Sequence, residues 1–191
     1  QPMRESKALI RALGAIRTSS SVADVETAFR EAVRFRSFGD TEAHEQLGAV
    51  AANIAGNNNV PSTERAAFTK FALEEIRMET AGSAKDVKHL LILENVLNRA
   101  VIQDISYVQE AEEVGKEAIR LAPAKQPAYY ELAQLYLVTN RLGDVVSLLA
   151  RAWHLDEKNP TAAGHLWMVA ALACNRDIVS EVKQTYHLRD F

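Results

Sequence analysis

With 191 residues, 48% of them apolar and 25% charged, the chain can build one ordinary core or one elongated array, and its composition excludes a disordered polymer. Eight glycines and five prolines are too few for the turn every roughly 8–12 residues that a sandwich or barrel needs. A net charge of −3 implies no overall attraction to nucleic acid.

Helical periodicity predicts ten helices, over about 3–17, 22–36, 40–55, 62–80, 85–100, 106–121, 126–139, 142–156, 160–174 and 177–188. The first two lie in a basic stretch. Residues 1–39 hold seven Lys/Arg against four Asp/Glu, or +3, which leaves −6 for residues 40–191. A solvated helix face is the simpler reading of that excess, and an anionic surface the sharper one. Ser21 stands three residues before Asp24, the spacing at which side chain and backbone donors cap a helix reciprocally. "GNNNVPS" at 56–62 reads as a loop, with Ser62 placed to cap the next helix. Further on, Ser106 and Gln109 repeat the capping spacing. Val108, Ala111, Val114, Gly115, Ala118, Ile119 and Leu121 then fall on one face. In the helix over 142–156, Leu142, Val145, Leu149, Ala152, Trp153 and Leu155 do the same. The lone cysteine, Cys174, ends the apolar run "LWMVAALAC", where a small buried hydrophobe is expected. One cysteine allows no internal disulfide and no cysteine metal cluster. That nine-residue run is far below the roughly 20 residues a membrane span needs. The start at Gln1-Pro2, without an initiator methionine, suggests a processed or excised piece.

Catalytic patterns are sparse. None of His44, His89, His154, His165 and His187 has a partner at i, i+4, so ordinary surface or half-buried roles are expected. There is no HExxH, GxSxG, Walker-type loop or GxGxxG. Acidic pairs such as Glu74-Glu75 and Glu112-Glu113 are adjacent and read as solvation. No enzymatic activity, metal or cofactor is expected.

Laid against itself, the sequence repeats. Ala118 and Ala152 are 34 residues apart, as are Leu121 and Leu155, Val108 and Leu142, and Ala111 and Val145. A helix–turn–helix unit of that period leaves one apolar face open until the next unit covers it. Over its whole length, 126–159 resembles a tetratricopeptide repeat (TPR). Tyr129 and Tyr136 stand at the two aromatic positions, Leu132-Ala133 at the large–small pair, and Ala152 at the late small position. The preceding segment supplies Ala111, Ala118 and the closing Pro123. Asn140 stands for the usual turn glycine, Val145 for an alanine and Glu157 for the closing proline. Trp167 at a normally small position suggests a repacked terminal repeat. Upstream the match weakens, since Leu97 to Ala111 spans 14 residues where 9 fit the repeat.

The fold expected is all-α, a right-handed superhelical α-solenoid of about five TPR-like helix hairpins. It forms one domain over 1–191, with divergent repeats in 1–105, the clearest in 106–159 and a terminal capping hairpin in 160–191. The resemblance implies a concave groove lined by Asn95, Asn98 and Arg99, by Tyr130, Gln134 and Leu137, and by Met168. It implies a protein or peptide ligand there, through aromatic and amide contacts more than a clamp on a terminal carboxylate. A second likeness is narrower. "FRSFGDTEAHEQLGAVAANIA" (35–55) and "KQPAYYELAQLYL" (125–137) resemble the soluble helical tail of bacterial O-antigen ligase or polymerase-like membrane proteins. That likeness implies an extracytoplasmic, membrane-tethered scaffold, with an upstream membrane domain of the same chain as a partner. The alternative is a free-standing cytoplasmic TPR adaptor or regulator. Neither reading involves nucleic acid, and the sequence does not fix the oligomeric state.

Overall fold

A computed structural model describes residues 2–18, 21–34, 40–82 and 86–186. Every regular element among them is helical. In chain order they are α1 (Pro2–Thr18), α2 (Val22–Val33), α3 (Asp40–Gly56), α4 (Ser62–Gly82), α5 (Val87–Val101), a 3₁₀ turn (Ile105–Tyr107), α6 (Val108–Leu121), α7 (Gln126–Val138), α8 (Leu142–Leu155), α9 (Pro160–Leu172) and α10 (Arg176–Tyr186). The ten expected helices are present within a few residues at each end.

Several starts follow from short polar side chains that accept otherwise orphaned N–H groups. Ser21 Oγ accepts from Asp24 N at 3.2 Å. Asp86 Oδ1 accepts from Lys88 N at 2.8 Å. Asn159 Oδ1 accepts from Thr161 N and Ala162 N, with Pro160 in the first helical position, where its missing N–H costs nothing. The capping role expected of Ser106 does not materialise. Asp104 Oδ1 takes Ser106 N at 2.9 Å, and the chain winds through the 3₁₀ turn before α6 begins. This turn absorbs the surplus residues between Leu97 and Ala111.

The chain divides into two compact units, residues 1–107 and 108–191. In the first, α1–α2 and α3–α4 are antiparallel neighbours, and α5 packs on both α3 and α4. Phe29, Leu47, Phe68, Leu73, Ile76, Val96 and Leu97 form its core. Phe68 meets Phe71 edge-on at 5.9 Å, and the Arg30 guanidinium covers the Phe71 ring at 4.1 Å. His44 and His89 are buried here, against the surface or half-buried places expected of them. Carboxylates stand on two sides of His89, Glu79 Oε1 and Asp86 Oδ2 each 3.6 Å from a ring nitrogen, which is outside hydrogen-bond distance.

In the second unit α6 packs on α7, α7–α8 and α9–α10 form hairpins, and α8 packs on α9. Ala118 and Ala152 are both fully buried, as the period requires. The repeat is also visible in the backbone. Asn140 (φ 59°) and Cys174 (φ 55°), again 34 residues apart, both adopt the left-handed conformation just past a helix end. Arg141 N donates to Tyr136 O at 2.8 Å, and Asn175 N to Ala170 O at 2.8 Å. Cys174 is therefore an exposed turn residue and not the buried hydrophobe expected from its apolar run. A left-handed L-residue with a Cβ costs about 1–2 kcal/mol, of which glycine recovers part after its own entropy cost. Cys174→Gly should accordingly stabilise the protein by about 0.5–1 kcal/mol in denaturant titration. Asn140→Gly should gain less, because asparagine tolerates this conformation.

Leu155 is exposed at the end of α8 and does not join the buried face formed by Val145, Leu149, Ala152 and Trp153. Polar bonds fasten the α6–α7–α8 joint. Tyr136 Oη donates to Glu112 Oε1 and Arg141 Nη1 to Glu112 Oε2, each at 2.9 Å. The Arg141 guanidinium lies 3.8 Å over the Tyr136 ring. The Lys116 ammonium, outweighing burial and helped by Tyr136 and Arg141, holds the Glu112 carboxyl below its usual range. Tyr129 Oη donates to Pro123 O at 2.7 Å, tying α7 to the turn before it.

Candidate functional site

Each of α7 and α9 leaves one stripe of its surface at least partly open, and the two stripes share the 34-residue register at Gln134 and Met168. Tyr130, Gln134 and Leu137 follow each other at the i, i+4, i+7 spacing of a single helix face. One 34-residue period later stand Gly164, Met168 and Ala171, and the large exposed side chains on that side of α9 are His165, Met168 and Leu172, at i, i+3 and i+7. Tyr130 meets His165 edge-on at 6.4 Å, which places the two stripes side by side at their N-terminal ends. Tyr130 and Gln134 are half-buried, whereas Leu137 is 48%, Met168 52% and Leu172 67% exposed. The face thus runs from polar aromatics at one end to bare aliphatic side chains at the other.

Charge is almost missing from these helices. The α7 sequence carries only Glu131, and the α9 sequence carries no Asp, Glu, Lys or Arg at all. Burial, and then the Asp156 carboxylate, push the Tyr130 phenol above its usual pKa, so it remains a neutral hydrogen-bonding group. A face so composed can take apolar side chains and neutral amides or hydroxyls, with the Asp156 carboxylate beside its Tyr130 end. Sequence reasoning named four of these six residues. His165 and Leu172 were missed, because the 34-residue period from Tyr130 and Leu137 leads to Gly164 and Ala171, each one residue short of them.

The other three expected groove residues lie on α5, in the first unit. Asn95 is half-buried and lines a shallow groove of about 310 Å³ with Glu45, Gly48, Ala49, Lys88, Leu91 and Ile92. Lys88 and Glu45 form an ion pair across it. Arg99, also half-buried, continues the Lys88–Leu91–Asn95 stripe by one turn. Asn98 departs from the expectation. It is only 1% exposed, because α5 is covered by α3 and α4 over nine of its fifteen residues and Asn98 stands one turn from the buried Glu94. Its amide belongs to the interior.

A second cleft in the first unit, about 460 Å³, is lined by Ile16, Ser21, Val22, Val25, Val50, Asn53, Ile54 and Val60 among others, without an ionisable group. Among the described residues no cluster of three or more His, Cys, Asp or Glu is arranged to hold a metal ion, and no helix is long and apolar enough to cross a membrane. His187 lies outside the described residues.

No family model matches the sequence, and no curated protein matches it either. Solved structures do. TTC0263, a thermophilic TPR protein of Thermus thermophilus, superimposes with a TM-score of 0.61 at 16% identity, covering 96% of this chain and 88% of that one. MamA (41-end) from Desulfovibrio magneticus RS-1 gives 0.60 at 16% identity, with 98% of each chain covered. PilF of Pseudomonas aeruginosa gives 0.60 at 15% identity, over 97% of this chain and 76% of that one. At such identities the likeness establishes the fold, which is that of the tetratricopeptide repeat.

Proposed function

We propose that this chain, which has the tetratricopeptide-repeat fold, is a non-catalytic protein-interaction scaffold. In this reading the paired stripes of α7 and α9 receive a neutral, amphipathic peptide segment. The observation that carries it is the uncharged double stripe, open to solvent at Leu137, Met168 and Leu172 where a helix in a monomeric core would be covered. A partner helix would set apolar residues at i, i+3, i+4 and i+7 against Leu137, Met168 and Leu172, and its polar groups against Gln134, Tyr130 and His165. The α5 stripe, with Asn95 and Arg99, offers a second and more polar surface in the first unit.

Selection of a random peptide library on the purified chain tests this. The enriched sequences should be neutral and helical in pattern, and Leu137→Glu should weaken their binding at least about tenfold, since one buried unpaired charge costs well over 1.4 kcal/mol. Enrichment that survives Leu137→Glu and Met168→Glu unchanged would show that the ligand sits elsewhere.

The finer reading is a soluble extracytoplasmic tail of an O-antigen ligase or polymerase-like membrane protein, acting in surface glycan assembly. What supports it is the likeness of 35–55 and 125–137 alone, and residues 35–39 lie outside the described ones. The free-standing cytoplasmic adaptor is the competing reading. The full encoded product discriminates: membrane helices upstream of Gln1 favour the tail, and a product lacking them removes it.

A further inference from the structure

We propose that α1 is an interfacial helix that lies on an anionic lipid surface. Among its described side chains only Ala8 and Ala12 are fully buried; Leu9 and Leu13 are covered in part, Ile16 stands at the edge of the cleft shared with α2 and α3, and Ile10 is left outside. Ile10 is 68% and Ile16 44% exposed, and Leu9 and Leu13 are half-buried between them. Leu9, Leu13 and Ile16 follow at i, i+4, i+7, with Ile10 one turn before Leu13, so the four share one side of the helix. Arg4, Lys7 and Arg11 follow at i, i+3, i+7 along an adjoining strip, all exposed, and Arg17 stands exposed in the last turn. The α1 sequence carries four basic residues against Glu5, or +3, which accounts for the whole basic excess of residues 1–39.

An aliphatic stripe beside a row of cations is the pattern of a helix that sinks its apolar side to the level of lipid headgroups while its cations meet their phosphates. A nucleic acid would leave Ile10 in water, since phosphate contacts make no use of an aliphatic stripe. A second copy docked α1 against α1 would bring +3 against +3. A lipid surface uses both features together, and the arrangement is independent of the α7/α9 stripes.

Co-sedimentation of the full chain with vesicles of mixed phosphatidylglycerol and phosphatidylcholine, and with vesicles of phosphatidylcholine alone, tests the proposal. Binding is expected to the mixed vesicles only, and should weaken as salt is raised. The double variant Lys7→Glu/Arg11→Glu should lose at least about tenfold in partitioning, given roughly fivefold per basic residue at such a surface. Ile10→Ser should weaken binding without altering its salt dependence, and Leu137→Glu should leave it unchanged. All three substituted positions on α1 are exposed, and Arg11 makes only a 4.0 Å solvent-exposed pair with Glu31, so helicity and melting temperature should match the parent. Failure to bind mixed vesicles, or equal binding by the charge variant, overturns the proposal. So does duplex DNA binding that replaces vesicle binding, or self-association abolished by Ile10→Ser.

Discussion

Ala152→Arg should unfold the second unit while the first keeps its structure. Ala152 is fully buried on α8, in line with Val145 and Leu149, and its carbonyl accepts a 2.8 Å bond from Gln126 Nε2 at the start of α7. Fully buried as it is, the Ala152 methyl leaves a long charged side chain no open path to solvent. An arginine would have to displace α7 or carry an unpaired guanidinium into the interior. Overpacking alone costs about 1–3 kcal/mol, and an uncompensated buried charge adds several more. A loss above about 4 kcal/mol is a large part of what holds a domain of this size together. Hydrogen exchange should show protection lost in α7–α9 and retained in α3–α5, and Ala152→Ser should be nearly silent. Ala118→Arg should behave like Ala152→Arg, since the two alanines are one repeat apart. Unequal effects would mean that the 34-residue register does not describe the packing.

That register was legible because it is written in residue size. Where helices cross closely only small side chains fit, so alanines recur at fixed spacing whatever the remaining sequence does. Turn chemistry was less legible. Asn140 was recognisable as a stand-in for glycine because asparagine tolerates the left-handed conformation. Cys174 was not, because in sequence it extends an apolar run and nothing in its chemistry favours such a turn. Only the spacing from Asn140 marks it. At Ser106 a competing acceptor two residues upstream took the N–H and moved the helix start, which a capping pattern read in isolation does not anticipate.

The candidate site divides along the same line. Tyr130, Gln134, Leu137 and Met168 were expected from the groove positions that the repeat resemblance implies; Leu137 and Met168 are exposed, and Tyr130 and Gln134 are half-buried. Asn98 was misplaced. Residues on α5 were assigned as though one face of that helix were free, whereas α3 and α4 cover it broadly and leave the narrower stripe through Lys88, Leu91, Asn95 and Arg99. The width of a buried face depends on how many helices pack on it, and periodicity within one helix does not report that number.

Gly48→Val should destabilise the first unit by about 2–3 kcal/mol. A Cβ at Gly48 would fall 2.6 Å from Ile92 Cγ2, with Ile76 Cδ1 at 3.6 Å and Val96 Cγ2 at 3.7 Å. The glycine lets α3 approach α4 and α5 at once, in the unit's core. Its nearest neighbour is a methyl on a β-branched carbon, whose rotamer in a helix is nearly fixed, so relief must come from movement of α5 itself. Two effects oppose each other. Replacing a mid-helix glycine by alanine gains about 1 kcal/mol of helix propensity, while the overlap costs about 1–3 kcal/mol. Gly48→Ala should therefore be mildly unfavourable, and valine, with two further methyls and a weaker propensity gain, clearly so. For a chain of this length the valine variant should melt roughly 5–10 °C lower. Ile92→Ala removes the obstructing methyl, so Gly48→Ala introduced into that background should turn neutral or stabilising. Additive losses in the double variant would show that the two residues do not meet, and that some feature other than Gly48 sets how closely α3 and α5 approach.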